Sequence, residues 1–267
     1  MKKLILFSLL YVIAFLGISQ TINPKATNYY YNTQIDKKND ITLNAQNIVA
    51  RYNFAKFKLI IVNDSKNYVM LRKDELKYKN NKGTFSATEK KTPKFVSPFS
   101  KHSWTIDFKG NNFFLVDTFT IIPEGIYTFA IDKTKLKAPI FHLPPNKNQF
   151  TVGEFTVTMT KLKKVTGLVS ISFKAQYAGN KIGIISPSDA VLTLPDGSSW
   201  ANTKSNMKPK ILVKGETASF TLKFEVPGRV IDTQFANLDI DWKTSYRTTN
   251  AERLKFKSKE VYLEKTK

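Results

Sequence analysis

Asp239 and Asp241 have the most evident capacity for chemistry in this chain, two carboxylates two positions apart with Trp242 beside them. Alternate residues of a strand share a face, so the pair can offer hard oxygen ligands to Ca²⁺ or act as acid and base on a glycoside. Asp132, which aligns with Asp241 in an internal repeat, points instead to a structural carboxylate that accepts backbone N–H groups. Histidine occurs only at His102 and His142, in different segments, neither with an acidic residue at ligand spacing. Cysteine is absent, which excludes disulfides, thiolate metal sites and thiol nucleophiles. The sequence contains no His-Glu-x-x-His, phosphate loop, Gly-x-Ser-x-Gly or calcium-loop pattern. The expectation is a chain that is not an enzyme and carries no cofactor or metal.

Charge and aromatic residues suggest binding instead. Lysine and arginine number 42 against 21 acidic residues, a net charge of +21. That excess favours contact with polyanions such as nucleic acid, lipopolysaccharide, teichoic phosphates or acidic polysaccharide. Arg253, Lys255, Lys257 and Lys259 alternate with apolar or small residues. In one strand they would form a row of cations about 6.8 Å apart, the candidate anion contact, although such a row also serves as an ordinary solvated face. Lys161, Lys163 and Lys164 form a second cluster, open to the same two readings. Tyr29-Tyr30-Tyr31, Phe113-Phe114 and Trp200 would stack sugars or bases if exposed, and would serve as core or interface residues if not.

The elements that must position these residues are strands. Phe155-Thr-Val-Thr-Met-Thr160, Ile171-Ser-Phe-Lys-Ala175 and Phe220-Thr-Leu-Lys-Phe-Glu-Val226 alternate apolar with polar residues, the period of a sheet with one buried face. Lysines such as Lys56, Lys58, Lys174 and Lys223 read as edge protection. The pattern also repeats. Lys94–Phe108 aligns without a gap on Lys210–Phe224, 116 residues on, which puts Trp104, Ile106 and Phe108 on Phe220, Leu222 and Phe224. At an offset of 114, Asp40–Leu43 falls on Glu154–Val157, Phe57, Leu59 and Ile61 fall on Ile171, Phe173 and Ala175, and Gly83 falls on Gly197. Further on, Val116-Asp117-Thr118 aligns with Ile231-Asp232-Thr233, and Ile131-Asp132 with Ile240-Asp241. The expected fold class is all-β: two tandem immunoglobulin-like antiparallel β-sandwiches that arise by internal duplication, over 28–137 and 150–267. Between them 138–149, with Pro139, Pro144 and Pro145, reads as a semi-rigid extended spacer.

Met1-Lys2-Lys3, the apolar run Leu4–Leu16, and small residues at Gly17 and Ser19 form the three-part pattern of a secretory signal peptide. Residues 1–19 are read as that peptide, cleaved after Ser19, because the apolar run is shorter than the roughly 20 residues a spanning helix needs. With no cysteine to lipidate, the expected location is extracytoplasmic in a bacterium (periplasmic, cell-surface or secreted), and not as a lipoprotein.

Gly153–Thr158, Leu168–Ala175, Ser186-Pro187-Ser188-Asp189, Pro195-Asp196-Gly197 and Lys214-Gly215-Glu216 leading to Phe224-Glu225-Val226-Pro227 follow one another in order. This order resembles the exported bacterial immunoglobulin-like family related to mycobacterial immunoprotective extracellular protein, chiefly over residues 150–230. The first copy departs from it, with Pro98-Phe99-Ser100-Lys101 in place of Lys214-Gly215-Glu216-Thr217. The resemblance implies a sandwich fold and export, and carries no catalytic residues. The expected function is an exported, non-catalytic binding or interaction protein whose partner is an anionic polymer or an envelope protein. The alternative is a carbohydrate-binding or carbohydrate-active protein using exposed aromatics and Asp239/Asp241.

Overall fold

The computed structural model describes residues 26–88, 92–110, 114–132 and 134–264; the expected signal peptide over 1–19 lies outside them. Among the described residues the regular structure is β-strand with two single 3₁₀ turns, and no helix is long and apolar enough to cross a membrane. The protein is an all-β sandwich.

In chain order the strands begin with β1 (Thr27–Tyr30), β2 (Thr33–Lys38), β3 (Ile41–Arg51), β4 (Phe54–Asn63) and β5 (Tyr68–Leu71). A 3₁₀ turn at Lys73–Glu75 leads to β6 (Lys77–Asn80), β7 (Gly83–Ser86), β8 (Lys94–Val96), β9 (Ser100–Lys109), β10 (Thr118–Ile122) and β11 (Ile126–Phe129). Next come β12 (Thr134–Lys135), β13 (Phe141–Leu143), β14 (Gln149–Val152), β15 (Phe155–Val165), β16 (Leu168–Tyr177) and β17 (Ile182–Ile185). After the second turn, Pro187–Asp189, follow β18 (Val191–Thr193), β19 (Ser199–Ala201), β20 (Lys210–Leu212) and β21 (Thr217–Glu225). The chain closes with β22 (Leu238–Asp241), β23 (Tyr246–Thr249), β24 (Glu252–Arg253) and β25 (Lys259–Tyr262).

These strands form two sets of three sheets with the same order. In the first set, β3, β4 and β9 make the long sheet, joined by β1 and β2, and the short sheets run β24-β11-β5-β8 and β25-β10-β6-β7. In the second set the long sheet is β14-β15-β16-β21, and the short ones are β12-β23-β17-β20 and β13-β22-β18-β19. In each set the long sheet shares one apolar core with both short sheets. The alternating residues supply that core, because burial follows the period of two along β4 and β16. Phe57 stands opposite Ile106, and Ile171 opposite Leu222, so the alignments at offsets of 114 and 116 coincide with ladder positions.

Chain order does not match unit membership at two places. β12 and β13 leave β11 and pair with β23 and β22 of the second set, while β24 and β25 leave β23 and pair with β11 and β10 of the first. The two halves therefore exchange their closing strands. The first unit consists of β1–β11 with β24 and β25, and the second of β12–β23. Equivalent backbone bonds seal both exchanges, Leu136 N to Tyr246 O at 2.9 Å and Leu254 N to Ile126 O at 2.8 Å. Phe141 and Leu143, inside the stretch read as a spacer, are buried in the second core. Their apolar side chains have a sheet to complete, which is why the segment is a strand.

A third apolar cluster lies between the units, where Tyr68, Met70 and Phe129 meet Ile182 and Ile184. All four residues of β5 and of β17 are buried, as expected of strands with a core on either face. Lys56, Lys58 and Lys174 lie on β4 and β16, interior strands of their sheets, so they line outer faces rather than guard edges. The alignment also slips near its end. Asp241 stands opposite Val191, and the position that answers to it, opposite Lys77, is Ile122 rather than Asp132.

Candidate functional site

The expected row of four cations is not a single strand. Arg253 is in β24 and Lys259 in β25, members of different sheets, and residues 254–258 cross from one to the other. Leu254 and Phe256 point into the first core, so Arg253, Lys255 and Lys257 face outward. Lys259 shares its phase with the buried Val261 and is half-buried. Arg253 lies 3.3 Å from Glu124, which also takes Lys77 at 2.9 Å. The Lys77 hydrogen bond, aided by the charges of Lys77 and Arg253, holds the Glu124 carboxyl below the usual range. Arg253 thus shares a single carboxylate with Lys77.

Lys255 and Lys257 have different neighbours. The exchanged tail runs beside β2, where Lys38 Nζ donates to the Lys255 carbonyl at 3.2 Å and the Lys257 N–H donates to Asp36 Oδ2 at 2.7 Å. The other oxygen of Asp36 accepts the Lys37 N–H at 2.9 Å. One carboxylate therefore ties both segments together through backbone groups. Lys38, Lys255 and Lys257 lie on this side of the junction, while Lys37 points to the opposite face of β2; all four are exposed. Sequence reading missed Lys37 and Lys38 because their neighbours are more than 200 residues away; the adjacent pair itself was the available signal.

Asp239 and Asp241 do share a face of β22. His142, brought in by β13, meets Asp239 with Nδ1 and Oδ1 2.6 Å apart. Lys243 donates its backbone N–H to Asp241 Oδ1 at 2.9 Å and places Nζ 2.6 Å from Oδ2. Burial pushes the Asp241 carboxyl up, but the Lys243 bonds and charge more than offset this and leave it lowered. The row across the sheet reads His142, Asp239, Thr193, Ser199. Ser199 is two strand spacings from Asp239, about 9.6 Å, beyond hydrogen-bond reach of the histidine pair. The described residues hold no group of three or more potential metal ligands.

Ser186-Pro187-Ser188-Asp189 forms the 3₁₀ turn that separates β17 from β18. Asp189 Oδ2 accepts from Arg247 Nη2 at 2.7 Å and Thr244 Oγ1 at 2.8 Å, and Arg247 Nη1 donates to Ser186 Oγ at 3.0 Å. The first unit repeats the device with other residues: Glu75 accepts Tyr127 Oη at 2.7 Å and Arg72 Nη1 at 3.4 Å. Both serve as fold clamps.

The aromatic residues divide. Tyr30 and Phe114 are core residues, Phe113 lies outside the described residues, and Trp200 packs on the second core. Tyr29, Tyr31 and Tyr262 are 54%, 53% and 53% exposed. They gather where Tyr31 N–H donates to Tyr262 O and Glu264 N–H to Tyr29 O, beside a groove of about 580 Å³.

No family model matches the sequence, and no curated protein matches it. Among solved structures, the yjhA protein from Bacillus subtilis is similar over 30% of this chain and 70% of its own, at 14% identity and a TM-score of 0.25. A likeness of that degree carries no argument.

Proposed function

We propose that this chain is an exported, non-catalytic binding protein that holds an anionic polymer on its first unit, at the cluster of Lys37, Lys38, Lys255 and Lys257. One observation carries the reading: two segments distant in sequence join at Asp36, whose two oxygens are both occupied by backbone N–H groups, and four exposed lysines lie within two positions of that junction. That carboxylate anchors the backbone instead of pairing with a lysine head group. An acidic chain that displaces counterions from such a cluster binds with strong salt dependence.

The same reading includes an N-terminal signal peptide removed after Ser19, an extracytoplasmic address, descent of the two units from one duplicated sandwich, and kinship with the immunoglobulin-like family named above. Support for duplication comes from the shared strand order and the coincident ladder positions. A glycosidase reading at Asp239 and Asp241 is not favoured, since His142 and Lys243 already engage the pair.

The test is binding of the full chain to heparin across a salt series, with a Lys37, Lys38, Lys255 and Lys257→Gln variant beside it. The expected result is binding that weakens steeply with salt, with a slope that the variant reduces by roughly three to four. Binding by the variant equal to that of the parent rejects the site.

A further inference from the structure

The groove beside Tyr29 and Tyr31 differs chemically from the lysine cluster. Its walls are Tyr29, Tyr30, Tyr31, Asn32, Asn47, Ile48, Val49 and Glu264, none of them basic in a chain of net charge +21. Pairing between β1 and the end of the exchanged tail fixes which side chains face it. Tyr30 bridges Leu263, and both point inward, Tyr30 buried and Leu263 packed on the core. Their neighbours Tyr29, Tyr31, Tyr262 and Glu264 therefore share the outer face of the ribbon. Tyr31 stands across from Tyr262, and Tyr29 from Glu264. Cross-strand neighbours have Cβ atoms about 4.5–5.5 Å apart, so Tyr262 stands next to Tyr31 on that face, just beyond the residues that line the groove.

Polar groups rim that surface. Asn47, at φ 51° in the bulge of β3, is turned toward the groove and donates its N–H to Asn32 Oδ1 at 2.8 Å. Glu260 accepts Tyr262 Oη at 2.7 Å, which holds that ring on the side of the ribbon away from Glu264 along the strand. Aromatic faces accept the C–H faces of a ligand, while amides and carboxylates accept hydroxyl donors. A carboxylate, Glu264, in a lining without a basic residue disfavours an anionic ligand.

We infer that the tyrosine groove of the first unit is a binding site for an uncharged oligosaccharide, separate from the lysine cluster. Sugar rings stack on Tyr31 and Tyr262, and their hydroxyls bond to Asn32, Asn47 and Glu264. The second unit has no such site, because no strand corresponds to β1 there. Residues 227–236 cover the same end of β15, with Thr233 Oγ1 bonded to Val165 O and Lys164 Nζ to Ala236 O, each at 2.6 Å.

The test is an array of uncharged oligosaccharides probed with the full chain in 0.5 M NaCl, followed by calorimetry on the best binder. Binding is expected to survive the high salt and the four-lysine substitution. Tyr31→Ala and Tyr262→Ala should each weaken it about tenfold, whereas Tyr31→Phe should leave it within a few-fold. Retention on charged glycans only, affinity unchanged in both alanine variants, or capture of a protein through these tyrosines with no glycan bound overturns the inference. Since the lysine site is read by salt-sensitive binding to heparin, either proposal can fail while the other stands.

Discussion

The two units share a strand order yet fill their cores and close their edges differently. Position 183 in the second unit is glycine, where an added Cβ would fall 2.7 Å from Phe155 and 2.8 Å from Tyr177. The ladder-equivalent residues in the first unit are Val69, Ile41 and Asn63, all buried. A large pair facing glycine thus replaces a smaller pair facing valine. Asn63 uses the room to bond Asn67 O and Ser97 O at 2.8 and 2.9 Å, an amide that pins a turn where the second unit has a ring. The framework therefore tolerates exchange of whole groups of side chains while total volume and register hold. At the edges, the first unit gains β1, the lysine cluster and the tyrosine groove, and the second gains a covering loop. The lysines around the Asp36 junction and the tyrosine groove therefore have no counterpart on the other unit of an otherwise matched pair.

The comparison can be broken most forcefully in the cores. Gly183→Val should destabilise the protein by roughly 2–3 kcal/mol through overpacking, read as a shift in the urea midpoint, and Tyr177→Asn with Phe155→Ile in the same chain should recover part of the loss. A single variant as stable as the parent would mean that the two cores are not alternative solutions to one packing problem. A smaller effect separates the clamps. Asp189→Asn, which strips a charged partner from the mostly buried Arg247, should cost about 2 kcal/mol. Glu75→Gln, whose partners are a tyrosine hydroxyl and a more exposed arginine, should cost less than about 1 kcal/mol. Equal costs would show that the clamps are energetically interchangeable.

The smallest effect is at Asp241. Its carboxyl is lowered in the folded protein, so the stability it adds is complete above the unfolded aspartate value of about 3.9 and is lost as pH falls through the folded value below that. Asp241→Asn should therefore cost well under 1 kcal/mol at pH 7, and parent and variant should converge in thermal melts below about pH 3. A gap that widens in acid has the wrong sign for this pairing.

Alternation along β15, β16 and β21 was enough to read the strands, and the gapless match of Lys94–Phe108 to Lys210–Phe224 located equivalent ladder positions. Strand exchange was not legible, because residues 134–143 and 252–262 carry the same apolar spacing whichever sheet they complete. The sequence showed Arg253 to Lys259 as one row because period two continues through Lys257, and the break at Ser258 has no compositional mark. His142 and Asp239 lie 97 residues apart, so their pairing depended on the same exchange. Lys37 and Lys38 were visible only as charge.

The central claim is that location, not total charge, makes the first unit the polyanion-binding one. Two variants with equal loss of charge test it: Lys37, Lys38, Lys255 and Lys257→Gln in the first unit, and the exposed Lys161, Lys163, Lys174 and Lys204→Gln in the second. The quantity to measure is the salt dependence of heparin affinity. The account predicts that the first variant loses most of its affinity at moderate salt while the second stays within about twofold of the parent. Equal losses in the two would contradict it and reduce the lysine cluster to general surface charge.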